Sequence, residues 1–451
     1  MEDFSETKII SALTSVLQFL DRVKPLIDSH MVLFFTEQYW STLVPEAIRR
    51  EFERVGMEGF APVLWDGGGR REELPQDCRS LAEFLRDARE MYAGSLGDVV
   101  LTNRQLKERL RGGERHGGLP SGQCMSRKKH HEVGVMAEVA AALAAASGAS
   151  HVVDVGGGKG YLGSALALLH GLPVLGVDSS RGNTSSAARH SHKLQKAWRG
   201  ASSTRNEERE NATAAGGRYK VVTMFMDRDT RPSQLVQEHW GGAGDCRVCL
   251  VGLHACGDLS PACLGAFVAD GRAAALCLVG CCYNLLGEAG LPVSRRGPRL
   301  GRNARMLAAQ ACHRVADTRQ LAVDSLFYRA LLEVLLVESC GRDARWGHVG
   351  RIAAKCGSFR EYVHKATEKL GLSVQVSESR IESLYAQYLP QKDQLQAFFS
   401  LRVALAPVVE TALLLDRLLY LHEQGFHKSC LVQLFDPVVS PRCYGIVSVK
   451  S

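Results

Sequence analysis

The sequence has no long apolar run that is free of charge. Its most apolar stretch, residues 403–421, contains Glu410, Asp416 and Arg417, and charged side chains are costly inside a bilayer. The first 30 residues are amphipathic and include acidic residues, unlike a secretory signal. We therefore expect no membrane span and an intracellular protein, in the cytoplasm or the nucleus.

A strong excess of one charge sign is also missing. Lys and Arg number 55 against 48 Asp and Glu, a net charge of +7, which permits nucleic acid as a partner but does not require it. The chain has 451 residues, enough for two or three structural units that each bury a core.

The 14 cysteines show no spacing typical of a disulfide framework or a zinc knuckle, and seven of them lie in apolar sequence between residues 246 and 282. His254, Cys256, Cys281 and Cys282 are residue types that bind zinc, but neighbouring residues of a strand point to opposite faces of a sheet. We therefore predict reduced thiols and no metal site, with a nucleophilic cysteine as an alternative.

The most informative stretch is residues 151–161, which read H-V-V-D-V-G-G-G-K-G-Y. An apolar run, consecutive glycines and a following apolar helical stretch predict a buried strand, a tight turn and a helix start. Glycines are needed where φ is positive or where a ligand approaches the backbone. Free N–H groups at a helix start can bind a polar ligand, although a purely structural turn is an alternative.

Two acidic residues accompany this turn. Asp154 precedes Gly156 by two positions, and Asp178 ends a second apolar strand, 24 residues after Asp154. The D-x-G-x-G-x-G pattern resembles the S-adenosylmethionine turn of class I methyltransferases, whose second acidic residue binds the ribose hydroxyls. A nicotinamide site also has an acidic residue at this distance, but its fingerprint begins with glycine. The resemblance implies that S-adenosyl-L-methionine is bound by Asp154, Gly156, Gly157, Gly158, Gly160 and Asp178.

Three later strand-like segments end in polar residues. They are residues 219–226, before Asp227, and the blocks C-L-V-G-L-H-A-C-G-D-L-S and A-L-C-L-V-G-C-C-Y-N-L-L at residues 249–260 and 275–286. The carboxyl ends of strands in a doubly wound sheet form the ligand crevice. We expect Asp227, Leu253 and His254 to contact the cofactor, with a surface aspartate as the alternative for Asp227.

Methyl transfer to an unactivated hydroxyl or amide needs a group that accepts the proton of the acceptor. The candidates, which we do not rank, are Lys128, His254, Asp258 and Tyr283. Lys128 and Lys129 lie in the basic segment M-S-R-K-K-H-H-E-V. This segment either faces the mouth of the site or is a solvated helix start.

A second basic segment, residues 295–305, contains five arginines interrupted by glycine and proline. Such a loop can contact phosphates. The residues that we expect to contact RNA are Lys128, Lys129, Arg295, Arg296, Arg299 and Arg302.

The order of the segments predicts an α/β fold, the Rossmann-like seven-stranded sheet of a class I methyltransferase. Residues 1–123 are an N-terminal helical region, and residues 124–289 hold the first five strands, with a disordered insertion at residues 199–217. Residues 290–426 are a helical insertion, which could also dock a protein partner. Residues 427–451 supply the last two strands, an antiparallel pair at one edge of the sheet.

Six motifs across residues 125–451 together resemble the methyltransferase-like protein 25 family, also called ribosomal RNA adenine dimethylase domain-containing proteins. They are M-S-R-K-K-H-H-E-V, D-V-G-G-G-K-G, G-L-H-A-C-G-D-L, V-G-C-C-Y, S-L-F-Y-R-A and L-F-D-P-V-V-S-P-R. The resemblance implies a methyltransferase that depends on S-adenosylmethionine.

The end of the fourth predicted strand bears on the acceptor. Adenine-N6 methyltransferases of nucleic acids place Asn or Asp there, followed by x-Pro-aromatic, whereas residues 254–258 read H-A-C-G-D. A flipped base would lack its stacking platform. The block is closer to the K-H-L-C-G of the transfer-RNA ribose methyltransferase for nucleotide 4. We expect RNA as the acceptor, with protein methylation or a non-catalytic binding module as alternatives.

Overall fold

The computed structural model describes most of the chain. The described residues are 3–66, 76–110, 125–201, 218–241, 246–287, 290–312, 315, 323–342, 347–350, 352–372 and 376–450. Of the insertion that we expected to be disordered, residues 202–217 lie outside the described residues, and residues 199–201 end the helix Arg181–Ala201.

One mixed sheet forms the centre of the fold. Its strands are β1 Val100–Thr102, β2 His151–Val155, β3 Val174–Asp178, β4 Tyr219–Thr223, β5 Val248–Ala255, β6 Ala273–Gly280, β7 Ser429–Gln433 and β8 Tyr444–Val449. Their spatial order is β1-β7-β8-β6-β5-β2-β3-β4. Neighbouring strands are parallel except at β8, which is antiparallel to both β6 and β7. The predicted Rossmann-like α/β class is therefore confirmed.

The strand count and the edge of the sheet differ from our prediction. Eight strands are described, and the additional one, β1, comes from the region that we predicted to be helical. It pairs in parallel with β7, with Leu101 opposite Val432, so the antiparallel pair of β7 and β8 is not at the edge. A strand of three residues is too short to show an alternating pattern in the sequence.

Helices cover both faces of the sheet. They are α1 Glu6–Arg22, α2 Lys24–Asp28, α3 Tyr39–Leu43, α4 Glu46–Asp66, α5 Arg79–Glu90, α6 Asn103–Leu110, α7 Arg127–Ser147, α8 Tyr161–Leu169, α9 Arg181–Ala201, α10 Pro232–Trp240, α11 Leu259–Ala269, α12 Arg302–Ala308, α13 Val323–Cys340, α14 Phe359–Leu370, α15 Glu378–Tyr388 and α16 Lys392–Glu423. Local chemistry sets the ends of α7, because Ser126 Oγ accepts from the Lys129 amide at the start and Gly148 adopts φ 66° at the end.

The alternation of side chains along the strands separates two hydrophobic cores. On β2, Val152 belongs to the smaller core under α6, α7 and α8, whereas Val153 belongs to the larger core on the opposite face. The larger core also includes apolar residues of the N-terminal helices and of α13 to α16. The two helical regions therefore share one core with the sheet.

The longest helix, α16, is the axis of this larger core. The continuous segment Glu378–Glu423 is apolar and long enough to cross a membrane, but 89% of its apolar window is buried in the fold. Two of its buried charged side chains have polar partners: Arg402 Nε donates to the Leu26 carbonyl at 2.9 Å, and Glu410 pairs with Arg442 at 2.8 Å. A buried charge with such partners is compatible with a core helix.

Asp416 of α16 fixes the chain that follows β6. Its side chain is fully buried and accepts hydrogen bonds from the Val293 amide, the Ser294 amide and the Ser294 hydroxyl at 2.7–2.9 Å. Burial raises the pKa of this carboxyl group, because burial disfavours its charged form. The hydrogen bonds from Val293 and Ser294 act in the opposite direction and stabilise the buried carboxylate.

We expect the substitution Asp416→Ala to lower the free energy of unfolding by about 2–4 kcal/mol, because it leaves buried amides without an acceptor. Urea unfolding followed by circular dichroism measures this change. Asp393→Ala is the matched control, since Asp393 lies exposed in the first turn of the same helix and should contribute less than about 1 kcal/mol. Equal losses in the two variants would contradict the role of Asp416.

Candidate functional site

The glycine-rich turn lies between β2 and α8, at the carboxyl ends of the parallel strands. Gly156, Gly158 and Gly160 have φ values of 67°, 55° and 72°, which residues other than glycine rarely adopt. A Cβ atom on Gly160 would also lie 2.5 Å from the Tyr219 hydroxyl. Gly160 is therefore required by packing against β4, whereas its predicted contact with the cofactor remains a prediction.

Asp154 is buried directly under this turn. Its side chain is 1% exposed, and among the described residues its Oδ2 atom has no hydrogen-bond partner. A Cβ atom on Gly157 would lie 3.1 Å from Oδ2, so glycine keeps the carboxylate uncovered on this side. Burial, with the charge of Asp178, raises the pKa of Asp154 to about 7. An uncompensated buried acid of this kind fits a ligand that brings a donor or a positive charge.

Asp178 ties the turn to the start of α9. Its Oδ2 accepts from the Gly158 amide at 3.0 Å, and its Oδ1 accepts from the Ser180 amide and from Asn183 Nδ2. Oδ2 retains capacity to accept from a hydroxyl group. The second predicted acidic residue thus lies beside the turn, and its contact with a ribose remains a prediction.

Asp227 has a different environment. It lies exposed beyond the end of β4, and its Oδ1 accepts from the Asp229 amide and from the amide and hydroxyl of Thr230. The hydrogen bond from the Thr230 hydroxyl lowers the pKa of this carboxyl group. The carboxylate shapes its own loop, which favours the surface alternative, and its contact with the cofactor remains a prediction. Leu253, by contrast, is only 7% exposed and belongs to the smaller core.

A buried carboxylate that we did not predict, Glu132 of α7, joins two of the candidate residues. Its oxygens lie 3.4 Å from Lys128 Nζ and 3.4 Å from His254 Nε2, and the Ser440 hydroxyl donates to it at 2.6 Å. Burial alone would raise its pKa, but hydrogen bonds from His254 and Ser440 and the nearby positive charges lower the pKa of Glu132 to about 2. The group is therefore ionised and holds α7, β5 and the β7–β8 connection together.

His254 is the candidate residue that is best placed for chemistry. Its side chain is 35% exposed, and its carbonyl oxygen would lie 3.3 Å from a Cβ atom on Gly156. The backbone of His254 thus borders the glycine-rich turn, its imidazole is partly exposed to solvent, and Glu132 lies 3.4 Å from Nε2 of the ring. A carboxylate that orients a histidine is a recurrent arrangement for proton transfer.

Lys129 belongs to the same end of the sheet. Its ammonium group lies 4.4 Å from the ring centroid of Tyr161, the first residue of α8. Burial lowers the pKa of Lys129. Lys128 pairs with Glu132 and Lys129 contacts the residue that follows the glycine-rich turn, and that the basic segment faces the mouth of the site remains a prediction.

Two candidate catalytic residues have structural surroundings instead. The Tyr283 side chain is 1% exposed, and its hydroxyl donates to Glu410 at 3.0 Å, with Arg417 and Arg442 against its ring. Asp258 is exposed and accepts from the Gly287 amide at 2.8 Å. Tyr283 therefore packs in the core, away from solvent, and Asp258 anchors the loop after β6, unlike the catalytic roles that we expected.

Three cysteines meet at the ends of β5 and β6. Cys256 Sγ lies 2.9 Å from Cys281 Sγ, which lies 3.6 Å from Cys282 Sγ. We argued against such a cluster because alternate strand residues point to opposite faces. That argument does not hold, because β5 ends at Ala255 and β6 ends at Gly280, so the three cysteines follow the strands. His254 faces Glu132 and is not a member of this group.

The arginine loop lies away from these residues. Arg295, Arg296, Arg299 and Arg302 are exposed, and within the described ranges no acidic side chain pairs with their guanidinium groups. The Arg295 amide donates to Glu423 near the end of α16, whereas Tyr283 contacts Glu410. These glutamates are separated by about 20 Å along the helix.

Comparison with known proteins decides the family. A profile described as a methyltransferase domain matches residues 128–289. "Probable methyltransferase-like protein 25" of Mus musculus is 31% identical over 97% of this chain and 96% of its own length. The Homo sapiens protein of the same name is 29% identical with the same coverage.

The chain belongs to the methyltransferase-like protein 25 family. The predicted resemblance and the assignment as a methyltransferase are thereby confirmed. The matched domain contains the glycine-rich turn, Glu132 and His254, and all three cysteines of the cluster. Ser440 lies outside it, in the C-terminal segment. Glu132 follows Lys128 by four residues, the spacing of neighbours on a helix, which is the one local signal for their pairing.

We expect Glu132→Gln to lower the free energy of unfolding by about 3 kcal/mol near neutral pH. The pKa of about 2 in the folded protein lies below the ordinary value. The ionised group therefore stabilises the fold above about pH 4.5, and this contribution is lost as the pH falls towards 2. Urea unfolding across this pH range should show the two proteins converging at low pH.

Glu138→Gln is the matched control on the same helix. Glu138 is half exposed, with 49% of its side chain accessible, and pairs with Lys107, so its substitution should have little effect at any pH. If Glu132→Gln behaved like this control, the assigned charge of Glu132 would be wrong.

Proposed function

We propose that this protein transfers a methyl group from S-adenosyl-L-methionine to RNA. The observation that carries the donor half of the proposal is the buried Asp154 carboxyl group under the glycine-rich turn: the Gly163 amide donates to it, but its Oδ2 atom has no hydrogen-bond partner among the described residues. The methionyl part of the donor has an ammonium group on its α-carbon, separated from the sulfonium by a short carbon chain, and its ribose has two hydroxyl groups. Asp154 and Asp178 offer an acceptor for each, on adjacent strand ends.

The chemical step needs the acceptor atom in line with the methyl group and a site for its proton. His254 supplies that site. The Nε2–H group donates a hydrogen bond to Glu132, which leaves Nδ1 unprotonated and able to act as the base. This tautomer is assigned from the hydrogen-bond partner. The ionised Glu132 then stabilises the imidazolium that forms when Nδ1 takes the proton of the acceptor.

The basic side chains support RNA as the acceptor. Lys128 and Lys129 lie next to the glycine-rich turn, and the four exposed arginines of residues 295–302 lie further along the protein. Phosphate contacts with both groups would supply affinity for an RNA strand without base recognition. The missing Pro-aromatic pair after His254 favours an acceptor that is not a stacked adenine amine.

The donor site is tested by the substitution Asp154→Asn, for which we expect two opposite effects. The loss of a charge-assisted hydrogen bond should weaken S-adenosylmethionine binding about tenfold to hundredfold in calorimetric titration. The same change should stabilise the ligand-free protein by roughly 1–4 kcal/mol above pH 7. The sign follows from the pKa of Asp154, which is raised to about 7 in the folded protein. Between about pH 4 and 7 this acid ionises in the unfolded chain but not in the fold, so the folded protein loses stability as the pH rises through this range.

Asp98→Asn, at an exposed residue that pairs with Lys8, is the control and should change neither quantity. A purely structural Asp154 would be indicated by destabilisation together with unchanged binding. Absence of binding to the unaltered protein would reject S-adenosylmethionine as the donor.

RNA as the acceptor is tested with donor labelled in the methyl group and RNA from cells in which the gene is disrupted. We expect ribonuclease-sensitive label, which His254→Gln should reduce at least tenfold, a typical general-base contribution. Replacing Arg295, Arg296 and Arg299 with Gln should reduce the slope of log affinity against log salt by about 2. The matched control replaces three exposed arginines outside the proposed surface: Arg50, Arg54 and Arg79.

Label that is sensitive to protease and not to ribonuclease would overturn the proposal and indicate protein methylation. An equal change of slope in both triple variants would remove the arginine loop from the RNA contact while leaving the donor site intact.

A further inference from the structure

The cysteine cluster at the ends of β5 and β6 has no role in the proposed methyl transfer. Cys256, Cys281 and Cys282 are unoxidised and half-buried, and their sulfur atoms all lie within 4.8 Å of one another. They directly follow two adjacent parallel strands, so the pairing of these strands brings them together. Cys256 lies two residues after His254. The cluster is therefore at the same end of the sheet as the glycine-rich turn.

The spacing of the sulfur atoms suits a small thiophilic ion. A zinc ion with tetrahedral geometry and zinc–sulfur distances of about 2.3 Å places its sulfur ligands about 3.8 Å apart. The observed separations of 2.9 Å and 3.6 Å need shifts of less than 1 Å to reach this value.

The electrostatic surroundings favour negative charge on the Cys256 sulfur, whereas the pKa values of Cys281 and Cys282 are raised by the hydrogen bond with Cys256 and by burial respectively. Hydrogen bonds from Cys281 and Cys282 and the nearby imidazole of His254 lower the pKa of the Cys256 thiol to about 6. Arg442 acts in the same direction on Cys282, whose pKa burial otherwise raises. Thiolate is the form that binds metal. Three thiolates together with one divalent ion carry a net negative charge, which the nearby positive groups would balance.

We propose that Cys256, Cys281 and Cys282 bind one zinc ion, with a fourth coordination position open towards the site. Three protein ligands and one open position are typical of zinc sites that meet a water molecule or a substrate. Binding the ion displaces the remaining thiol protons to solvent. This proposal does not depend on the identity of the methyl acceptor.

A second group, Glu6, His422 and His427, also has ligand atoms within 4.8 Å of one another. It lies where α1 meets the end of α16, at a distance in the fold from the strand ends. Metal bound at this second group has to be distinguished from metal bound at the cysteines. One control variant therefore alters His427.

The experiment measures zinc in the purified full-length protein by mass spectrometry after dialysis against zinc and then against metal-free buffer. We expect one zinc per chain. Alanine at Cys256, Cys281 or Cys282 should reduce this to less than a tenth. The matched controls are Cys340→Ala, at an exposed cysteine outside the cluster, and His427→Ala, and both should retain the metal.

Cobalt substitution of the unaltered protein provides a measurement that needs no variant. We expect thiolate-to-cobalt charge-transfer absorption and the intense visible bands of tetrahedral coordination. Zinc that is lost in His427→Ala but kept in the cysteine variants would overturn the proposal. So would a protein that binds no metal or forms a Cys256–Cys281 disulfide in place of metal binding, as detected by mass spectrometry of non-reduced peptides.

Discussion

Buried carboxylates need partners, and this requirement organises the described structure. Each one is expensive to remove from water and is tolerated only when hydrogen bonds or opposite charges surround it. Asp416 satisfies the requirement by binding the chain after β6, and Glu410 does so by binding Tyr283 and Arg442. Glu132 does so by joining α7, β5 and the β7–β8 connection. Apart from the pair of Lys128 and Glu132 within α7, these contacts bring together segments that are distant in sequence.

Asp154 is the exception, and it lies at the site that the glycine-rich turn marks. Its Oδ2 atom is buried without a partner among the residues that the structure describes, so the fold carries a cost there that a ligand can remove. Strain of this kind tends to occur at functional sites, because elsewhere a mutation that relieves it is favoured. The raised pKa of Asp154 and the lowered pKa of Glu132 have the same physical basis, the presence or absence of partners around a buried acid.

Local patterns in the sequence predicted the core of the fold and half of the site. The strands other than β1, the glycine-rich turn and the acids at the ends of β2 and β3 are each encoded within about ten residues, so their placement could be predicted directly. Glu132 and Ser440 could not be paired, because 308 residues separate them. The meeting of Cys256 with Cys281 depends on where β5 and β6 end, and sequence patterns fix strand ends poorly. Tyr283 was misassigned because its burial depends on α16, more than 100 residues later.

The C-terminal segment explains why the helical regions and the site belong to one structural unit. Between β7 and β8, Ser440 donates to Glu132 at the site, and two residues later Arg442 binds Glu410 of α16. The orientation of His254 therefore depends on Glu132, which is itself held by a segment that α16 anchors. Methyl transfer is sensitive to the placement of the acceptor at the level of an ångström, and a site assembled from strand ends gains rigidity from such cross-links. The extra helices are then part of the positioning of the site, in addition to any surface that they offer to a partner.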